Sequence, residues 1–162
     1  MSQLLENKVC IITGAAQGIG RQIAEQFAAD GAIVYACDRQ EFTSNNENIH
    51  PVVLDITNAA SVKTTFTQIF KTEGHIDCLV NNAGISMRAV FKDLDLNVMR
   101  SLMDTNFWGT VYCTKYALPY LLESKGTVVG VISTAGYVGL PARTAYSASK
   151  FAVRGFLETL RI

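Results

Sequence analysis

The sequence lacks an excess of charge of either sign. Fourteen Lys and Arg are balanced by fourteen Asp and Glu in 162 residues, so no overall field is present to hold a phosphate backbone or an anionic bilayer. Neither a nucleic-acid partner nor a membrane is expected. Also missing is any uninterrupted apolar run long enough to span a bilayer. Residues 1–8 are polar around one Leu pair, without the basic stretch and apolar core of a secretory signal, and the expected location is cytoplasmic. Histidine is scarce: His50 and His75 precede apolar runs, have no acid or cysteine at ligand spacing, and read as loop or strand-start residues. The four cysteines, Cys10, Cys37, Cys78 and Cys113, are widely separated and three sit inside apolar runs, as small buried hydrophobes do. Neither a disulfide nor a metal site is expected. What is present, 49% hydrophobic and 17% charged residues, suits one globular domain with a real core and argues against disorder.

Five short apolar runs rich in β-branched residues recur: Val9–Ile12, Ala32–Ala36, Pro51–Leu54, Ile76–Val80 and Thr127–Ile132. Their hydrophobicity is continuous rather than alternating, which predicts strands covered on both faces, as in a parallel sheet. Between them lie segments of helical spacing, Ile19–Ala29, Ala59–Phe70 and a long stretch from about Leu94 to Leu122, and a last one begins near Thr144 and still runs at Ile162. This alternation predicts right-handed βαβ crossovers and a doubly wound α/β sheet. One connection is different. Between Asp38 and His50, the segment Thr43-Ser44-Asn45-Asn46-Glu47-Asn48 is too polar for a packed helix and predicts a shortened or irregular crossover.

The first strand runs into Thr13-Gly14-Ala15-Ala16-Gln17-Gly18-Ile19-Gly20, which opens an amphipathic helix. Glycines allow a tight turn and close backbone approach, and the free N–H groups at the helix start attract phosphate, so a dinucleotide pyrophosphate is expected there. Asp38 ends the second strand, eighteen residues beyond Gly20, where a carboxylate meets the adenosine ribose hydroxyls and repels a 2′-phosphate. Gln17 stands before Gly18 where a base would aid NADP, which favours NAD; Arg39 keeps NADP open.

Later motifs make the pattern specific. Asp55-Ile56-Thr57 follows the third strand, Asn81-Asn82-Ala83-Gly84 follows the fourth, and Tyr146-Ser147-Ala148-Ser149-Lys150 puts Tyr146 and Lys150 on one helix face. An ammonium beside a phenol favours the phenolate, and a phenol whose ordinary pKa is about 10 needs such help near neutrality. A Tyr and a Lys four apart are common by chance in a chain with six tyrosines. Ser133, thirteen residues before Tyr146, and Asn106, in Met103-Asp104-Thr105-Asn106-Phe107-Trp108-Gly109, give the pair its weight.

In the order and spacing of these elements the chain resembles the short-chain dehydrogenase/reductase family. The resemblance implies a Rossmann-type sheet of strand order 3-2-1-4-5, with the family's last strands absent. It implies a tetrad of Asn106, Ser133, Tyr146 and Lys150. In the family's mechanism Tyr146 would exchange the proton with the carbonyl oxygen as hydride moves, and Ser133 would hydrogen-bond that oxygen. Lys150 would also hold the nicotinamide ribose, and Asn106 would keep a water in the proton relay. Cofactor contacts are implied at Gly14, Gln17, Gly18, Ile19, Gly20, Asp38, Asp55, Ile56, Asn82, Ala83, Gly84, Tyr146 and Lys150. Trp108, Tyr112, Tyr116 and Tyr120 read as packing residues of the long helix, and the stripe Tyr112, Tyr116 and Tyr120 alternatively as a subunit interface, since family members pair through the helices at about 94–122 and 144–162; a homodimer or homotetramer is expected.

The family usually continues with two more strands and a loop that closes over the substrate. Residues 1–162 are therefore expected to form a single dinucleotide-binding and catalytic domain, incomplete at its C-terminus. The expected activity is hydride transfer between NAD(H) and a secondary alcohol or ketone. The alternatives are a truncated, catalytically inactive dinucleotide-binding fragment, or an NADP(H)-dependent ketone or 3-oxoacyl reductase. A non-enzymatic scaffold would have no need of Ser133, Tyr146 and Lys150 in register.

Overall fold

The computed structural model describes residues 4–161. Five parallel strands, β1 (Val9–Thr13), β2 (Ile33–Asp38), β3 (Ile49–Val53), β4 (Cys78–Asn81) and β5 (Thr127–Gly130), form one sheet in the order β3-β2-β1-β4-β5. This is the doubly wound order expected. All five residues of β1 are buried, and their alternation divides the core in two. Val9 and Ile11 face a cluster with Phe66, Ile69, Leu79, Cys113 and Leu121, whereas Cys10 and Ile12 face one with Ala24, Ala28, Val34 and Val80. A continuous apolar run is thus two period-two faces, each with its own layer.

The first cluster is closed by α2 (Ala59–Glu73) and α4 (Gly109–Ser124), the second by α1 (Gly18–Ala29). Along α1 the buried residues are Gly20, Ala24 and Ala28; this small-residue stripe at four-residue spacing lets the helix approach β1 closely. At the start of α2, Asn58 accepts a hydrogen bond from Ser61 N at 3.0 Å, satisfying one of the free N–H groups there. Residues 39–48 carry no helix, in line with their polarity. The second layer is therefore thin on that side, and Phe42 covers it with the Arg21 guanidinium 5.6 Å from its ring centroid.

The long helical stretch expected from about Leu94 to Leu122 is three pieces: α3 (Leu96–Leu102), a π-helical turn Met103–Trp108, and α4. Asp95 caps α3 through Asn97 N at 2.8 Å. The wider π turn rotates the helix face so that Asn106, 1% exposed, points into the protein. Hydrophobic period alone does not reveal such a turn, because apolar residues lie on both sides of it. The last helix, α5 (Thr144–Leu160), ends one residue before Arg161, and Ile162 lies outside the described residues.

Tyr116 and Tyr120 pack inside the chain rather than forming an outward stripe. Tyr120 stacks on Phe70 at 4.3 Å, and its hydroxyl lies 3.2 Å from Thr67 Oγ1. His75 is paired with the acid two residues on, contrary to its reading as a histidine without an acid at ligand spacing: its Nε2 is 3.2 Å from Asp77, which also accepts from Lys8 Nζ and Val9 N at 2.9 Å each. Asp77 so ties the start of β1 to β4. All four cysteines are free, with Cys10, Cys37 and Cys113 buried, and burial pushes the Cys37 thiol up to about 12. Among the described residues no helix is long and apolar enough to cross a membrane.

Phe66 is the largest fully buried side chain, on α2, so Phe66→Ala is expected to lower the unfolding free energy by about 3–5 kcal/mol in urea titrations. An unchanged midpoint would show that the α2 layer does not hold the sheet.

Candidate active site

The carboxyl ends of β1 and β4 are stitched together. Thr13 Oγ1 accepts from Asn82 N and Ala83 N at 3.1 Å each, and Asn82 Nδ2 donates to Thr13 O at 2.9 Å and Gly14 O at 3.1 Å. The glycine turn is built against this stitch. Gly14 has φ of 68°, and a Cβ on Gly20 would overlap the Gly14 carbonyl oxygen and Asn82 Nδ2. A side chain at Gly20 would force the start of α1 away from the turn, and one at Gly14 would be strained and would press on Ala83. At the start of α1, Gln17 supplies no side-chain cap, which leaves backbone N–H groups and the positive end of the helix available to an anion.

Asp38 is fixed on two sides. Its Oδ2 accepts from Ala16 N and its Oδ1 from Gln40 N, both at 3.0 Å. Asp55 is held in an Asx turn, accepting from Thr57 N at 2.9 Å and Thr57 Oγ1 at 2.8 Å. Both carboxylates border one cleft of about 1090 Å³ that runs across the carboxyl ends of the strands, the crevice expected of an open α/β sheet. This is larger than the usual range for a drug-sized ligand.

At the other end of the cleft stand Ser133, Tyr146 and Lys150. Ser133 caps the short 3-10 turn Thr134–Gly136 and accepts from Ala135 N at 3.2 Å. Lys150, 7% exposed, donates to Val131 O at 3.0 Å with its Nζ 5.9 Å from the Tyr146 ring centroid. Burial of the ammonium pulls the Lys150 pKa below its ordinary value.

Eleven of the thirteen residues read as cofactor contacts border this cleft; Gly18 and Gly20, in the turn, do not. Asn106 is also set back from it. Its Oδ1 accepts from Ile85 N at 2.8 Å, while Nδ2 donates to Ile85 O and Ser149 Oγ, both at 2.9 Å. Ser149 Oγ in turn donates to Tyr146 O at 2.8 Å. The Asn106 side chain therefore spends its bonds joining the segment after β4 to α5.

Two residues read as packing lie at the cleft. Trp108 is 44% exposed and stacks on Tyr112 at 5.9 Å, and both border the cavity beside Asp104, Thr105 and Ile56. Their four-residue spacing was visible; the π turn that directs them outward was not. Ser86, another lining residue, accepts a hydrogen bond from Arg143, whose guanidinium lies 5.9 Å from the Tyr146 ring centroid. The signal for Arg143 was its place three residues before Tyr146, at the N-cap of α5.

Residues 8–162 match a family model described as short chain dehydrogenase. A curated relative, Dehydrogenase/reductase SDR family member 7B of Xenopus tropicalis, is 35% identical over 173 residues, covering 97% of this chain and 56% of that protein. A second, 11-beta-hydroxysteroid dehydrogenase 1A of Arabidopsis thaliana, is 35% identical over 172 residues, covering 99% of this chain and 49% of the relative. Among solved structures, the ligand-free aldohexose dehydrogenase of Thermoplasma acidophilum superposes with a TM-score of 0.92 at 33% identity, over 99% of this chain and 62% of the other. The chain thus spans about half the length of the curated relatives it matches.

The depressed Lys150 pKa gives a test of sign. Below that pKa the lysine is charged in both folded and unfolded states, so the full cost of the buried charge opposes folding. Between it and the ordinary value of 10.5, the unfolded chain holds more protons, and stability rises with pH. The unfolding free energy of the protein minus that of Lys150→Met is therefore expected to increase as pH rises through this window. A flat or falling difference would contradict the burial of a charged lysine.

Proposed function

The chain belongs to the short chain dehydrogenase family of oxidoreductases, and from that premise we propose that it binds NAD(H) and transfers hydride to and from a secondary alcohol or ketone, with Tyr146 as general acid and base. The observation that carries the proposal is a single cleft bordered at one end by Gly14, Gln17 and Asp38 and at the other by Ser133, Tyr146 and Lys150.

The residues present fit such a cofactor. A Cβ on Gly18 would meet no protein atom within 4 Å, which leaves open space in front of the turn. The uncapped start of α1 suits a pyrophosphate, and the hydrogen bond from Ala16 N keeps the Asp38 carboxylate at the end of β2, where it suits ribose hydroxyls and opposes a 2′-phosphate. Asp55 and Ile56 would flank the adenine, and Asn82, Ala83, Gly84 and Lys150 the nicotinamide side. When bound, the nicotinamide supplies or accepts the hydride. Tyr146 gives its phenolic proton to the carbonyl oxygen in reduction and takes the hydroxyl proton in oxidation. Ser133 holds the same oxygen by hydrogen bonding as charge develops on it. Lys150, through its charge and its place one turn from Tyr146, favours the phenolate. Asn106 acts from behind, keeping α5 in register with the segment after β4, and its relay water would be held by backbone rather than by its occupied side chain. Arg39, exposed at the cleft beside Asp38, supports NADP(H) as the second reading.

The names of the relatives support the substrate class: a hydroxysteroid and an aldohexose both offer a hydroxyl-bearing carbon. The family commonly assembles into oligomers, and the exposed Leu122 on α4 and Phe151 on α5 favour pairing through these helices in a homodimer or homotetramer.

Oxidation of NADH and NADPH across ketones, sugars, steroids and β-ketoacyl thioesters tests cofactor and substrate together. NADH is expected to be preferred; a clear preference for NADPH would overturn the role given to Asp38. Tyr146→Phe is expected to lower turnover at least about 10²- to 10⁴-fold while NADH still binds, and retained turnover would remove Tyr146 from proton transfer.

A further inference from the structure

The phenol of Tyr146 has two cations over its ring, not one. Lys150 Nζ and the Arg143 carbon between the guanidinium nitrogens each lie 5.9 Å from the ring centroid. Lys150 stands one turn after the tyrosine on α5, and Arg143 is the N-cap residue immediately before the helix begins. Arg143 is not among the residues that border the cleft. It acts on the site from the side, held by its donation to Ser86 Oγ. A second bond, Ala89 N to Ala142 O at 3.0 Å, ties the same two segments together.

No carboxylate neutralises either cation: among the described residues Arg143 and Lys150 take part in no ion pair. The acids that border the cleft are Asp38, Asp55 and Asp104. Of the elements packed against α5, β5 and the Thr134–Gly136 turn carry no charge, the π turn carries Asp104, and α3 carries Arg100, which donates to Asn97. On α5 itself Arg154 is occupied by Glu158 and the Tyr137 ring. The net charge facing Tyr146 from its own helix is positive.

The two cations differ in kind. Lys150 is a buried ammonium whose charge burial disfavours, so it loses its proton before an ordinary lysine does. A guanidinium stays charged at every pH at which the protein is folded. We propose that Arg143 is a positioning residue whose permanent charge, tethered to Ser86 over the Tyr146 ring, favours the phenolate alongside Lys150. This rests on the reading of Tyr146 as the proton-transferring group, but its physical content is an ionisation equilibrium that exists whether or not the protein turns over.

The test is a near-ultraviolet absorbance titration of tyrosinate, in which subtraction of the Tyr146→Phe curve isolates one phenol from the other five. A unit charge roughly 6 to 9 Å from the phenol oxygen, which stands beyond the ring centroid, changes an ionisation constant by about twofold to a hundredfold between bulk-water and protein-surface screening. Arg143→Gln, which deletes the charge and retains an N–H donor toward Ser86, is expected to weaken the acidity of Tyr146 by a factor in that range, and Arg143→Lys to restore most of it. An unaltered titration in Arg143→Gln overturns the proposal. So does an Arg143→Lys curve displaced as far as that of Arg143→Gln, which would mean that the tether and not the charge matters. If Arg143→Gln lacks the native near-ultraviolet circular dichroism, Ser86→Ala, which keeps the charge and frees it, takes its place; a smaller displacement in the same direction is expected, and none overturns the proposal. Turnover is read separately: a Tyr146→Phe protein as active as the native one defeats the proposed function while leaving this equilibrium measurement decisive for Arg143.

Discussion

Thr13 and Asn82 hold the molecule's two working ends together. The Thr13 hydroxyl accepts two backbone N–H groups from the segment after β4, and the Asn82 amide donates to two carbonyls of the glycine turn. From that stitch a chain of bonds continues. Ile85, three residues on, is gripped by the Asn106 side chain, Asn106 reaches Ser149, and Ser149 reaches the backbone of Tyr146. Each bond contributes only about 0.5–1.5 kcal/mol net, yet breaking one strands a buried partner at a cost of about 1–3 kcal/mol. Position therefore passes from the start of α1 to α5 through buried groups that cannot be released singly without loss. Asn106 fits this account best: a buried side chain whose two N–H donors and carbonyl oxygen are all paired, and whose place in the fold follows from the π turn that bears it.

Much of this was legible in the sequence. Unbroken β-branched runs predict a sheet covered on both faces, and β1 meets that expectation, with alternate residues feeding two separate cores. The polar run at 43–48 announces a missing crossover helix, and the chain there is irregular. At the site, the four-residue spacing of Tyr146 and Lys150 and the thirteen-residue spacing to Ser133 place three side chains on one cleft.

The rest was hidden for physical reasons. A π turn adds one residue to a helical turn without altering composition, so the division of the 94–122 stretch left no trace in hydrophobic period, and with it went the outward direction of Trp108 and Tyr112. The tyrosine stripe on α4 divides along the helix: Tyr112, in its first turn, reaches the cleft, while Tyr120, about two turns on, packs on Phe70. Arg143 escaped notice because its partners, Ser86 and the Tyr146 ring, come together only when the loop after β4 meets the start of α5. Lys150 shows the tension between fold and chemistry, since a buried ammonium opposes folding at neutral pH and is the group best placed to act on the phenol.

The structure of the protein with NADH bound measures the central claim most directly. The account predicts the pyrophosphate against the backbone N–H groups at the start of α1, the adenosine ribose on Asp38, and the nicotinamide beside Ser133 and Tyr146 with its ribose within hydrogen-bond reach of Lys150. A nucleotide seated outside the cleft, or one whose nicotinamide lies away from Tyr146, would contradict it.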